Sequence, residues 1–518
     1  MTTARTIRTP SLLRALSTSL PAVLGGLATL WPAASALAGP AGSPDHAALE
    51  RLVQELVPVV EEVAGARFDT IPEVVVADPE MLGRVVYEEQ LHLLGALTDQ
   101  DVTQTEEVAQ STANDVAHLF AGKYGFLDKR LYLSLDSIAT ALADRGADPR
   151  LAMPVVKIVL AHELTHALQD QRADLDTLVT SAPTGDAIMA ANCLVEGHAV
   201  WVHERVGAEL GLDGALAVMS DLLGYRSAGV PTDPSAFTTA YVYGLGRDFA
   251  AWHTTSGGTA HMWDVLQEPP TETAMIVHPE RYGEPADKAT PGLRRALRRA
   301  RRRLGARRWP GGIQPLGDYD LREQLVLTGH AASADRVESA WRMRANERPM
   351  QGIEVQVLRF AEPRTASRYV HAMGRQAAYQ AATVTIDPNV SAWTGVFDAV
   401  PADRSAREQV VLELPGTREE LGTVWLAQGA DVVQVISVNV SPTDRRLARA
   451  LRPVLRTLER TSTAEPLQQI ATTGHEGARP LRHPYESGHE GARPLRHPYE
   501  GGHEGARPLR HPYEGGHE

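Results

Sequence analysis

The run PVVKIVLAHELTHALQDQ, residues 154–171, constrains this chain more than any other stretch. It reads as one helix, with Val156, Ile158, Val159, Leu164, Ala167 and Leu168 spreading apolar surface around much of its girth. Within it stand His162, Glu163 and His166, in the pattern H-E-x-x-H. Positions i and i+4 lie on one helix face, one turn apart. A buried helix carrying two imidazoles and a carboxylate needs partners for them; a metal ion is the economical one, and histidines satisfied by hydrogen bonds alone are the alternative. Two histidines so placed can bind one Zn²⁺. Glu163 then stands where it can take a proton from a water on the metal's open position, the arrangement a metal-assisted hydrolase needs.

A catalytic zinc takes three protein ligands and a water. The third is expected from ANCLVEGHAVWVHERVGAEL, residues 191–210. Glu196 lies among Leu194, Val195, Ala199 and Val200, and a carboxylate in so apolar a helix is rarely buried without a partner. Gly197 beside it permits close approach of a second helix. His198 and His203 are rivals: His198 points to another side, and His203 shares the Glu196 face about 10 Å further along the axis. Cys193 is a further soft donor, although a buried inert thiol is the commoner state of a lone cysteine. It is the chain's only cysteine, so no intramolecular disulfide can form.

HELTHALQDQ, followed some thirty residues later by LVEGHA, resembles the exported bacterial HExxH-plus-Glu metallopeptidases of the gluzincin type. The likeness extends to AYVYGLGRDFAAW (240–252), PPTETAMIVHPERY (269–282) and PLGDYDLREQLV (315–326). It implies a zincin-like domain with one zinc per chain on His162, His166 and Glu196, with Glu163 as general base and a peptide or protein as substrate. Thermolysin-like members carry an Asp four residues after the ligand Glu, where this chain has Val200. Asp170, one turn after His166, is left either to support the metal site or to form an ion pair or cap. Tyr243, His278 and Tyr282 are candidates for stabilising the oxyanion. A rival function is a non-catalytic binding or structural protein on the same scaffold.

The 518 residues, 43% hydrophobic, suffice for two or three domains. Residues 1–38 read as an export signal: Arg5, Arg8 and Arg14 precede a moderately apolar stretch, with Ala36-Leu37-Ala38 or Ala34-Ser35-Ala36 as the cleavage site. Prolines and glycines interrupt that stretch, and no later segment reads as long and apolar enough to span a bilayer, so no stable membrane span is expected after signal removal. The net charge of −13 argues against nucleic acid as a partner. A local exception, LRRALRRARRRLGARR (293–308), reads as a solvated basic helix, with acidic polymers, membrane surfaces or processing proteases as possible partners.

The expected fold class is α+β: a metallopeptidase domain over 45–345 with a small sheet and a mainly helical half, then a small α/β domain over 346–462. Helices are expected at 45–65 and 80–97, and strands at 73–78 and 129–135. The latter strand is expected to offer an edge to an extended substrate. In the second domain the strands are 352–361, 382–387, 407–414, 424–429 and 431–438, around a helix at 366–380 and before another at 443–460. The tail, 463–518, carries a 14-residue repeat, GHEGARPLRHPYE(S/G), too polar and proline-rich to bury a core; it is expected to be disordered, with weak metal scavenging by its histidines as an alternative.

Overall fold

The computed structural model describes residues 46–97, 106, 109–114, 120–224, 236–285, 288–305, 313–348, 351–384, 390–414 and 417–472. The export signal and the repeats fall outside them.

The fold is α+β. Helix α1 (His46–Ala64) leads to β1 (Val74–Val76), α2 (Pro79–Leu97), β2 (Gly122–Gly125), β3 (Arg130–Leu133) and α3 (Leu135–Asp144). The motif helix α4 (Ala152–Ala173) and the long α5 (Gly185–Glu209) follow, then α6 (Asp213–Leu222). A π-helical turn, Ala240–Leu245, runs directly into α7 (Gly246–Gln267). The first sheet has the order β1-β3-β2, with β1 parallel and β2 antiparallel to β3.

Helix α4 is buried on every side from Ile158 to Asp170, and it is the centre of the first core rather than a surface helix. Pro149–Ala173 does have the length and composition to cross a membrane, contrary to the sequence reading, but 72% of that window is buried inside the protein. Its neighbour α5 has the same character. At Gly197 the backbones of α5 and α7 nearly touch: a Cβ built there would lie 1.9 Å from the Gly246 carbonyl carbon. Only glycine admits that crossing, which holds α5 in the position that delivers Glu196.

The second half begins earlier than the sequence suggests. The basic helix α8 (Pro291–Arg303) buries Leu293, Ala296, Leu297 and Ala300 and turns its arginines outward. After β4 (Ile313–Pro315) and α9 (Asp318–Leu327) come β5 (Val337–Arg348), β6 (Gln351–Phe360), α10 (Pro363–Val384) and β7 (Val390–Gly395). Strands β8 (Arg404–Leu414), β9 (Thr417–Gln428) and β10 (Asp431–Val438) and helix α11 (Asp444–Thr472) complete it. The antiparallel sheet runs β4-β5-β6-β10-β9-β8-β7. The expected boundary at 345/346 therefore cuts through β5, a strand whose alternation the sequence reading missed. One face of this sheet packs on α8 and α11, the other on α9 and α10. Two further corrections concern ends. Residues 382–384, read as strand, close helix α10, and α11 runs past 462 to Thr472, into the segment expected to be disordered.

Candidate metal centre

Three donor atoms meet between α4 and α5. His162 Nε2 lies 3.1 Å from His166 Nε2 and 3.2 Å from Glu196 Oε2, and His166 Nε2 lies 3.5 Å from the same oxygen. The i,i+4 spacing brings the two rings together with their planes 88° apart, and the α5–α7 crossing supplies the carboxylate. Bonds of about 2.0–2.1 Å in a tetrahedral shell would separate two ligand atoms by about 3.3–3.4 Å. The observed triangle has nearly those edges, so the cluster of His162, His166 and Glu196 can hold a metal ion. His162 and Glu196 are 0% exposed and His166 is 1% exposed.

Hydrogen bonds around the triangle decide which nitrogens are free to ligate. The Gln169 amide donates through Nε2 to the Val195 carbonyl at 2.9 Å, which fixes its orientation. Its Oε1 therefore faces His166 Nδ1 at 2.8 Å and can only accept. His166 must carry its proton on Nδ1, and its Nε2 lone pair points into the triangle. Gln169 Nε2 also reaches His198 Nδ1 at 3.1 Å. Burial drives the His198 pKa down to about 3, so that ring is a neutral acceptor. On the other side His162 Nδ1 lies 3.1 Å from His203 Nδ1. Burial, then His162 and His166, push His203 well below the ordinary imidazole range. With the shared proton on His162 Nδ1, both histidines turn Nε2 toward Glu196, an arrangement that a metal ion, or a proton shared with the carboxylate, would hold together.

The electrostatics agree. Burial is the largest influence on His166 and opposes charge there, yet Glu196, Glu163 and Gln169 together outweigh it and raise the imidazole pKa. Burial likewise opposes the Glu196 carboxylate, and His166 with His162 outweighs that and lowers its pKa. The second oxygen, Glu196 Oε1, is buried with no hydrogen-bond partner.

Glu163 is 1% exposed and points toward β2. Its Oε2 accepts from the Tyr124 backbone N–H at 2.7 Å. A Cβ at Gly122 would lie 3.2 Å from Oε1, so glycine there leaves room for the carboxylate. The edge strand beside the motif is thus β2, not the expected 129–135 strand, which is central with a neighbour on each side. Strand β2 is fastened by a buried ion pair, Lys123–Glu89 at 2.6 Å. The Tyr124 hydroxyl adds a bond of 2.8 Å to Asp170.

The remaining candidates separate. Asp170 takes the ion-pair and cap reading: it binds Lys129 Nζ at 2.6 Å and the Leu175 N–H at 3.2 Å rather than a ligand histidine. Tyr243 is buried with its ring centroid 6.3 Å from that of His162. His278 stands at the surface beside Glu280, and Tyr282 donates to the Glu268 carbonyl, so neither joins the cluster. Cys193 is buried with its thiol pKa raised by burial. Gln169 and His203 are the contributors that the sequence reading missed in these roles. Gln169 was legible in principle, being three residues after His166 on the same face. The segments 269–282 and 315–326 converge elsewhere: Asp186, in the first turn of α5, accepts from Thr273 N and Oγ1, and the Tyr319 N–H donates to Thr273 Oγ1.

Comparison with known protein families, curated proteins and solved structures finds no match.

Proposed function

We propose that the chain is an exported zinc-dependent metallopeptidase with a zincin-like first domain, its ion held by His162, His166 and Glu196. The observation that carries this reading is the donor triangle, whose edges of 3.1, 3.2 and 3.5 Å suit a tetrahedral ion and whose sequence neighbour is Glu163. Histidine and carboxylate donors are the set that catalytic zinc uses, and the ion would supply Lewis acidity toward a water and a scissile carbonyl. Glu163 takes the proton from the attacking water and delivers it to the leaving amine. The Tyr124 N–H holds the Glu163 carboxylate in place, and His203 and Gln169 keep the ligand rings oriented. Tyr243, beside His162, is the remaining candidate to stabilise the oxyanion.

A second reading is favoured by one observation. Glu163 is 1% exposed and one of its oxygens is committed to Tyr124, so a peptide reaches it only after β2 moves away from α4. In that reading the metal is structural and the chain is a binding protein. The purified protein, without a histidine tag, is expected to hold about one zinc at the triangle, and His162→Ala and Glu196→Gln to lose it. Unchanged metal content in both variants overturns the site. If wild type holds zinc but cleaves nothing in a broad peptide library, the binding-protein reading replaces the peptidase.

A further inference from the structure

The large sheet carries polar side chains where a core is normally built. The registers of β5, β6, β10 and β9 place Arg342, Gln356, Gln434 and Trp425 in one cross-strand row. Two residues along, on the same face, the next row holds Arg344, Glu354, Ile436 and Thr423 and extends to Glu408 on β8. Instead of packing tightly against the helices, these side chains line a narrow pocket that opens to solvent, with Asp320 and Glu323 of α9 and Met373 of α10 on the far wall.

Buried polar atoms are nearly always hydrogen-bonded. Four in this pocket are not: the acceptors Gln356 Oε1, Gln434 Oε1 and Glu408 Oε1, and the donor Trp425 Nε1. Their residues are at most 5% exposed. The charges are also unbalanced. Arg342 is bound to Asp320 and Arg344 to Glu354, which leaves Glu323 and Glu408 with no basic partner among the described residues. Burial raises the Glu408 carboxyl above its ordinary range and lifts that of Glu323 to about 7. Water can bond to the orphan atoms, and the buried carboxyls can hold protons while the pocket is empty, but only a cation would let both glutamates ionise. A bare inorganic ion is too small, because the orphans sit on β6, β10, β9 and β8, three inter-strand spacings or about 14 Å across.

We propose that this pocket is a second binding site, for an elongated organic cation that also carries a carbonyl: lysine or arginine, free or as a residue of a peptide. The ammonium or guanidinium group donates to the glutamate and glutamine oxygens, the methylene arm lies along Trp425 and Ile436, and the carbonyl accepts from Trp425 Nε1. The inference is independent of the metal centre.

Calorimetric titration of the full chain tests it. Arginine or lysine should bind saturably, while citrulline, equal in shape but neutral, should bind at least about 10-fold more weakly, the worth of a charged hydrogen bond. Agmatine, which keeps the cation and lacks the carbonyl, should fall between them. Acetyl-arginine amide distinguishes the sources: binding as tight as free arginine assigns the site to peptides, and weaker binding to the free amino acid. Glu408→Gln, nearly isosteric, should weaken arginine by roughly 10- to 100-fold with an unchanged circular dichroism spectrum. Equal binding of arginine and citrulline, or no saturable binding of any cation at millimolar concentration, overturns the proposal whether or not the variant folds. An unaltered affinity in a folded Glu408→Gln protein overturns it too.

Discussion

Two buried glutamines separate the two halves of this protein. Gln169, on a helix, is 0% exposed and uses both ends of its amide, accepting from His166 and donating to Val195 and toward His198. Gln434, on a strand, is 3% exposed and leaves its oxygen without a partner. In the first region the two histidines of the donor triangle are each held by a neighbour, His166 by Gln169 and His162 by His203, and the one open atom of the triangle is Glu196 Oε1. In the second, polar atoms are buried yet left open, and the region is unfinished without something bound. Held side chains fix the directions of the histidine nitrogens in the first region, whereas open polar atoms gather in one pocket in the second.

The largest effect should come from the first region. Glu163→Gln preserves size and the acceptor for Tyr124, so zinc content should stay at wild-type level while peptide hydrolysis falls about 10²- to 10⁴-fold. An equal loss of bound metal would show that Glu163 belongs to the ligand set and that the triangle is not complete by itself.

The seam between the regions should respond to pH. Burial raises the Asp186 carboxyl to about 7, against hydrogen bonds from Thr273 that lower it. A carboxyl raised in the folded state contributes stability that is fully present below its unfolded value near 4 and is lost as pH rises through 7. Unfolding free energy, measured by denaturant titration, should therefore decline between pH 4 and pH 8 by an amount on the order of a few kcal/mol, and Asp186→Asn should flatten that decline. An unchanged pH profile in the variant removes Asp186 from the seam.

Gly197→Ala should cost about 3 kcal/mol or more, because its methyl meets the Gly246 backbone and not a movable side chain. Gly95→Ala, with nothing within 4 Å of the added carbon, is the matching control and should be neutral or slightly stabilising.

The smallest effects test the glutamines directly. Gln169→Leu should lower metal affinity about 10- to 100-fold, since His166 loses the acceptor that sets its tautomer. Gln434→Leu should change stability by no more than about 1 kcal/mol, because an unbonded buried oxygen is replaced by hydrocarbon. Equal destabilisation by the two substitutions, measured by thermal unfolding, would erase the distinction drawn between the regions.

The two regions also differed in legibility. His162, Glu163 and His166 declare themselves because helical spacing is local, and Glu196 because it is a charge in an apolar helix. The roles of His203 and Gln169 depend on how α4 and α5 pack, which neither helix states alone. Strand β2, with the sequence Gly-Lys-Tyr-Gly, has almost no strand signature; it exists because Glu89, Glu163 and Asp170 bind it. His278 resembled a site residue through its motif, yet that segment builds the scaffold around Asp186. The sequence reading misses strand β5 and so gives Arg342 and Arg344, in Ala-Trp-Arg-Met-Arg, no sheet face at all. Only the pairing of five strands reveals their face and that it is inside.

The depth of the donor triangle bears on time as well as affinity. With His162, His166 and Glu196 at most 1% exposed, an ion held by them would be shielded from solvent while the elements around the triangle stay packed. Exchange of such an ion would wait for one of those elements to open, so its rate would be set by local opening rather than by bond strength. Raising the chelator concentration should accelerate metal loss only up to a ceiling, the opening rate itself. An ion captured as the chain folds would stay through conditions that strip a surface site, and which ion is found there would record what was at hand during folding.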